Sequence, residues 1–226
     1  MTTSLAIFAA LAMNWDSLVP GTQLNGFTER PLHWDRGEAR VYVGNAHCVS
    51  PPNALVYDFP DIAAKESRGY NAVQLPPSGE GRRELSLCFR QELAQVKGEI
   101  RGLYDGVDSG GGRGSKVPWP FVWITFDGVF AVQIEGGKRT RIGEVIAGVW
   151  HKATFCIPPN GEKGTAVNVK LERTRPDGSF RIVGEKSLPL GSLVIRSVNS
   201  FDLWGHGPSK YQFDDFSFRV METAGL

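Results

Sequence analysis

The residue types that could carry chemistry are scattered along this chain, not gathered in a motif. Its four histidines, His33, His47, His151 and His206, are each isolated in sequence. The sequence has no H-E-x-x-H pattern for a metal-bearing helix and no G-x-S-x-G elbow for a nucleophilic serine. Sugar hydrolysis by two carboxylates needs them roughly 5–10 Å apart across a cleft. Asp127 falls in a turn and Glu135 at the far end of the following segment, so they make a poor pair. Glu99 and Asp105 flank another extended stretch and are also well separated. A lone histidine is ordinarily a surface group or a satisfied structural one. His206, between Gly205 and Gly207 and after Trp204, is the first to test for binding.

The aromatic residues offer a different chemistry. Exposed rings stack on the apolar faces of sugars while nearby polar groups bond the hydroxyls. Trp119 and Trp123 bracket the entry to a hairpin, Tyr104 ends the strand before a glycine-rich stretch, and Trp204 precedes the Gly205-His206-Gly207 turn. Tyr104, Trp119, Trp123, Trp204 and His206 are therefore the candidate ligand-binding residues. Large aromatics are usually buried, and Trp123 and Trp150 have the surroundings of core residues. The stretch Asp108–Ser115 (DSGGGRGS) lacks the G-K-[ST] ending of a phosphate-binding loop and reads as a solvated surface loop.

These residues need a scaffold, and composition bounds it. The 25 Lys and Arg nearly cancel the 24 Asp and Glu, so nothing global attracts nucleic acid. The 27 glycines and 14 prolines suit many short strands joined by turns. Three cysteines, Cys48, Cys88 and Cys156, cannot all pair with one another. Cys88 and Cys156 read as buried free thiols, with a single bridge between them as the alternative. Ser4–Met13 (SLAIFAALAM) is apolar and contains Ala10-Leu11-Ala12, an A-x-A site. Residues 1–12 are accordingly expected to be a secretory leader, although no Lys or Arg precedes them; the alternative is a first strand or helix packed on the domain. No segment is apolar over the ~18 residues a membrane span needs. Residues 13–226 are expected to form one domain, exported to the cell exterior or envelope.

Period-two alternation dominates the rest. Glu84–Arg90 sets Leu85, Leu87 and Phe89 against Glu84, Ser86, Cys88 and Arg90. Val167–Arg173 alternates cleanly, and His151–Ile157 turns Ala153, Phe155 and Ile157 inward. Phe121–Phe126 and Val129–Glu135 flank Asp127-Gly128, predicting a two-residue hairpin at the centre of a sheet, with Trp123 beside Val132 and Thr125 beside Phe130. Further strands are expected at Val41–Val43, Ala54–Tyr57, Gly98–Tyr104, Phe180–Val183, Leu193–Ser200 and Tyr211–Val220. A short helical turn is expected at Asp61–Glu66, and long loops at Gly106–Lys116 and around Gly205–Lys210. In the last strand Asp214 shares the parity of Phe216, Phe218 and Val220. It should face inward unless a bulge intervenes, with Asp215 turned the other way. A carboxylate there must be paired, hydrogen-bonded or metal-bound. The predicted architecture is an all-β, two-sheet antiparallel sandwich.

Three segments together resemble the concanavalin A-like lectin/glucanase superfamily in its laminin-G-like jelly-roll branch: His47–Tyr57 (HCVSPPNALVY), Gly148–Ile157 (GVWHKATFCI) and Tyr211–Phe218 (YQFDDFSF). The similarity spans about residues 27–220. It implies a jelly roll with a polysaccharide or glycan as partner. It also implies structural calcium at Asp214 and Asp215; satisfaction of Asp214 by an Arg or by backbone N–H groups of a neighbouring loop is the alternative. The E-x-D-x-x-E and E-x-D-x-E strings of the family's glucanases are absent. The Q-[IV]-H strand of its alginate-lyase-like members is broken, since Glu135 follows Gln133-Ile134. The expectation is a secreted, non-catalytic glycan-binding or adhesion domain. The alternatives are a polysaccharide hydrolase or lyase with an unfamiliar site, and a structural or protein-interaction domain.

Overall fold

The computed structural model describes residues 6–13, 40–59, 68–74, 81–92, 98–103, 122–126, 128–134, 137–159, 161–192, 195, 200–206 and 209–222. Among them are fourteen strands: β1 (Ala6–Met13), β2 (Arg40–Gly44), β3 (Ala54–Phe59), β4 (Arg68–Gln74), β5 (Arg82–Gln91), β6 (Gly98–Leu103), β7 (Val122–Phe126), β8 (Val129–Ile134), β9 (Thr140–Glu144), β10 (His151–Ile157), β11 (Ala166–Thr174), β12 (Phe180–Pro189), β13 (Ser200–His206) and β14 (Ser209–Glu222). No helix among the described residues is long and apolar enough to cross a membrane.

The strands form two antiparallel sheets. The larger runs β12-β11-β10-β5-β14-β3-β2, with β1 added to β14; the smaller runs β4-β13-β6-β7-β8-β9. The inward residues are those the alternation selects: Leu85, Leu87 and Phe89 from β5, Ala153, Phe155 and Ile157 from β10, and Val167, Val169 and Leu171 from β11, all buried. Across the gap, β7 and β8 contribute Val122, Ile124, Phe126, Phe130 and Val132. Aromatic contacts join the layers, with Phe89 centred 4.9 Å from Phe126 and 5.6 Å from Phe130. Such pairs add about 0.5–1.5 kcal/mol beyond the area they bury.

The hairpin β7–β8 lies inside its sheet, flanked by β6 and β9, as expected. Its register differs from the sequence expectation. Phe126 pairs with Phe130, Thr125 with Ala131 and Trp123 with Gln133, leaving three residues between the paired phenylalanines. Gly128 has φ 81°. One left-handed glycine suits a three-residue loop with a bulge, whereas a two-residue type I′ turn needs two positive φ angles.

Other differences lie at sheet edges. β4 and β9 are terminal strands of the smaller sheet, and neither showed clear alternation; in β9 only Ile142 is buried. β12 continues to Pro189, well past Val183, because as an edge strand it is mostly exposed and its polar residues carry no periodic signal. β13 runs from Ser200 to His206 and β14 starts at Ser209, so strand occupies most of the loop expected around Gly205–Lys210. The apolar segment Ala6–Met13 pairs antiparallel with Met13 opposite Phe216 and Ala6 opposite Glu222. The expected helical turn at Asp61–Glu66 and the glycine-rich stretch Asp108–Ser115 lie outside the described residues.

The sandwich is nearly closed along one side, where β9 approaches β12. A Cβ on Gly184 would stand 2.1 Å from the Ile142 carbonyl oxygen, and one on Gly143 would stand 2.9 Å from Leu171 Cδ2. Glycine at these two positions lets the sheets touch.

His151, at the start of β10, is a satisfied core histidine. It is fully buried and stacks on Phe89 with ring centroids 5.4 Å apart. Its Nδ1 is 2.9 Å from the Val149 carbonyl oxygen, and its Nε2 accepts from the Ile146 N–H at 3.4 Å. Burial drives its pKa down to about 4. The Cys88–Cys156 bridge is excluded, and both thiols are free. Cys88 pairs with Lys152, and Cys156 with Glu84, so the two cysteines sit four positions out of register. At about 3.4 Å per residue the offset is roughly 13 Å, far beyond disulfide reach.

Candidate functional site

The last strand organises the site. Along β14, Tyr211 and Phe213 face the core, and so do Phe216 and Phe218. Both sets can point inward because the ladder with β5 slips between Asp214 and Ser217, and Asp215 adopts φ 47°, a conformation aspartate tolerates. The simple parity expectation for Asp214 therefore fails: before the bulge it belongs with Gln212, on the face opposite Tyr211 and Phe213. It is nonetheless fully buried, because the segment of residues 45–53 folds over it.

Asp214 Oδ2 accepts the N–H groups of Val49 at 2.8 Å and Ser50 at 3.0 Å. Its Oδ1 accepts the Asp215 N–H at 2.9 Å and the Ser50 hydroxyl at 3.3 Å. Three backbone N–H groups are thus its firm donors, and the one Ser50 hydroxyl proton is shared between Asp214 and Asp215. Backbone N–H groups of a neighbouring loop therefore satisfy Asp214. Ser50 Oγ also lies 2.6 Å from Asp215 Oδ1. Burial pushes the Asp214 carboxyl above its usual range, while the N–H donors of Ser50, Asp215 and Val49 hold it back. No group of three or more His, Cys, Asp or Glu that could hold a metal occurs among the described residues.

Beside this anchor, four strands present a joined polar surface on the outer face of the larger sheet. Register puts Tyr42, Val56, Gln212 and Arg90 in one row across β2, β3, β14 and β5, with Asp58 and Lys210 adjacent. Arg90 donates from Nη1 to Gln212 Oε1 at 2.5 Å and from Nε to the Gly148 carbonyl at 2.9 Å. Gln212 donates from Nε2 to the Ala46 carbonyl at 2.7 Å. Asp58 Oδ2 receives Tyr42 Oη at 3.4 Å and Lys210 Nζ at 3.3 Å. The Arg90 side chain is only 11% exposed and reaches to 3.7 Å from Glu92. These side chains are held in place before any ligand arrives.

The protonation states are equally fixed. Burial raises the Tyr42 phenol, Lys210 draws it down, and Asp58 pushes it up again, leaving it above its ordinary value. Burial works to lower the Lys210 ammonium, but Asp58, Tyr42 and Glu92 outweigh it and hold it above its ordinary value. The Tyr42 phenol and the Lys210 ammonium are therefore donors of the patch at neutral pH.

The sequence candidates are not all brought here. Trp123, Trp204 and His206 lie in the smaller sheet. Trp123 stands in a row with Arg101 and Asp202, Trp204 two rows on with Glu99 and Thr125, and His206 opposite Arg68 at the end of β13. Tyr104 and Trp119 fall outside the described residues. Asp214 and Asp215 adjoin the polar patch. Arg90 was legible as an outward residue from the alternation of Glu84–Arg90. Tyr42, Asp58, Lys210 and Gln212 were missed because their importance comes from cross-strand register.

Two curved antiparallel sheets around an aromatic core, with the last strand at the centre of the larger one, define a concanavalin A-like jelly roll. The fold comparisons agree. An endo-β-1,4-glucuronan lyase from the fungus Trichoderma reesei superposes with a TM-score of 0.55 at 15% identity, covering 89% of this chain and 96% of the lyase. A PL-14 alginate lyase from Aplysia kurodai gives 0.55 at 14% identity, covering 80% and 87%. The alginate lyase Aly36B gives 0.51 at 12% identity, covering 97% and 100%. No protein-family model and no curated protein sequence matches the chain. The chain thus shares the two-sheet jelly-roll fold of these lyases.

Proposed function

We propose that this chain is a non-catalytic glycan-binding domain that holds an acidic polysaccharide on the outer face of its larger sheet. The observation that carries the proposal is the interlocked group Tyr42–Asp58–Lys210 and Arg90, half-buried and pre-oriented on the outer face, with the buried Gln212 fixing Arg90 from beneath. Sugar hydroxyls need paired donors and acceptors at fixed spacing, and uronate carboxylates need a guanidinium or ammonium. Both are present. The structural neighbours named for glucuronan and alginate lyases point to the same class of polymer.

The test is titration calorimetry with polyglucuronate, alginate and neutral xylan. Acidic polymers should bind and xylan should bind at least tenfold more weakly. Arg90→Gln and Gln212→Ala should each weaken acidic-polymer binding about tenfold or more, with melting behaviour checked in parallel. A folded protein that binds none of the three would overturn the proposal.

A second reading is β-elimination, favoured by one observation: Tyr42 and Lys210 share Asp58 within hydrogen-bonding or ion-pair range. A growing absorbance from unsaturated sugar product, lost in Tyr42→Phe with binding retained, would establish a lyase and displace the non-catalytic assignment.

A further inference from the structure

At the closed side of the sandwich, far along the larger sheet from the polar patch, lies an open cavity of about 520 Å³. Arg141, Arg173 and Arg181 line it, together with Glu144 and Ile182. Arg173 and Arg181 are direct cross-strand partners on β11 and β12. Like charges placed directly opposite one another destabilise a sheet. Arg141 is paired with Glu144 at 2.8 Å, but neither Arg173 nor Arg181 has an ion-pair partner among the described residues. Ile182, which follows Arg181 on β12, is 57% exposed, one of two large apolar side chains left so open among the described residues.

We infer that this cavity is an oxyanion-binding site, with the Arg173 and Arg181 guanidinium groups as its forked donors. A guanidinium matches a carboxylate or sulfate oxygen pair bidentately, and a bound anion converts the repulsion between the two arginines into joint attraction. The cavity falls within the size range of small-ligand sites, roughly 300–1,000 Å³. The oxyanion can come from a uronate or from a free inorganic anion, and the experiment separates them. This site shares no residue with the outer-face patch and stands whether or not that patch binds glycan.

The probes are sodium glucuronate, inorganic sulfate and glucose, titrated into the full chain and followed by amide NMR shifts. Glucuronate or sulfate should bind saturably, moving the resonances of Arg141–Glu144 and Arg181–Val183, and glucose should not. Tighter binding of glucuronate than of sulfate assigns the site to an acidic sugar; the reverse assigns it to a free anion. Arg173→Gln and Arg181→Gln should each weaken binding roughly ten- to a hundredfold. Arg181→Gln should leave the melting temperature unchanged or raise it, since it removes a like-charge pair; arginines held for structure alone would lower it. Absence of saturable binding by either anion, binding unaffected by both substitutions, or shifts confined to Lys210–Gln212 would overturn the inference.

Discussion

Acid should weaken this fold through one buried imidazole. His151 is neutral in the native state: its Nδ1 faces the Val149 carbonyl, and its Nε2 accepts from the Ile146 N–H. Protonation at Nε2 would set a new N–H against that backbone N–H and leave a charge in the aromatic core beside Phe89. Burial, first, and the nearby Arg173 lower its pKa to about 4, partly offset by the Val149 hydrogen bond. The unfolded chain takes up the proton near pH 6.5, so it binds more protons than the native state between about pH 6.5 and 4. Stability therefore falls as pH drops through that window. A difference of about 2.5 pKa units corresponds to roughly 3 kcal/mol. Urea unfolding at pH 7.5, 6.0, 5.0 and 4.5 measures the loss. His151→Gln, which cannot titrate, will have a lower baseline but should lack this component of the slope. The difference between the two profiles isolates the imidazole from the carboxylates that titrate nearby. Parallel profiles for the two proteins would refute the reasoning.

Other outcomes follow from the same packing. Asp214→Ala should cost about 2–4 kcal/mol in urea unfolding and speed hydrogen exchange at Val49 and Ser50, whose N–H groups lose their acceptor. Added calcium or chelator should leave the melting temperature unchanged; a calcium-dependent rise would instead make Asp214 and Asp215 metal ligands. Gly184→Ala should destabilise by about 1–3 kcal/mol or more, because the new methyl meets the rigid Ile142 carbonyl rather than a movable side chain. Cys88, its thiol pushed up to about 12 by burial and by Asp215, should stay unalkylated in native protein at pH 8, as mass spectrometry can check.

What the sequence disclosed and what it hid divide along the strand register. Alternation in Glu84–Arg90, His151–Ile157 and Val167–Arg173 named the inward residues of β5, β10 and β11, because central strands with one buried face write their burial into a period of two. The edge strands β9 and β12 did not, since solvent accepts almost any polar residue there. Asp214 was legible as a costly buried charge. Its direction was not, because a bulge at Asp215 changes parity without leaving a distinctive residue type. The patch was hidden for a related reason. Tyr42, Asp58, Arg90, Lys210 and Gln212 come from four strands, and only the pairing of β14 with β3 and β5 assembles them.

That pairing also sets a schedule for the chain. β14 sits between β3 and β5, and all three of its hydrogen-bonded neighbours, β1 included, are made long before it. Until β14 leaves the ribosome, β3 and β5 each carry an unsatisfied edge, and the larger sheet exists as two separate halves. Joining them closes loops of more than a hundred residues, a slow step in topology-limited folding. The nascent chain thus passes through a period when open strands could pair with another molecule. A chaperone that shields edges should raise its yield, and a copy truncated before Ser209 should aggregate rather than form a smaller sandwich.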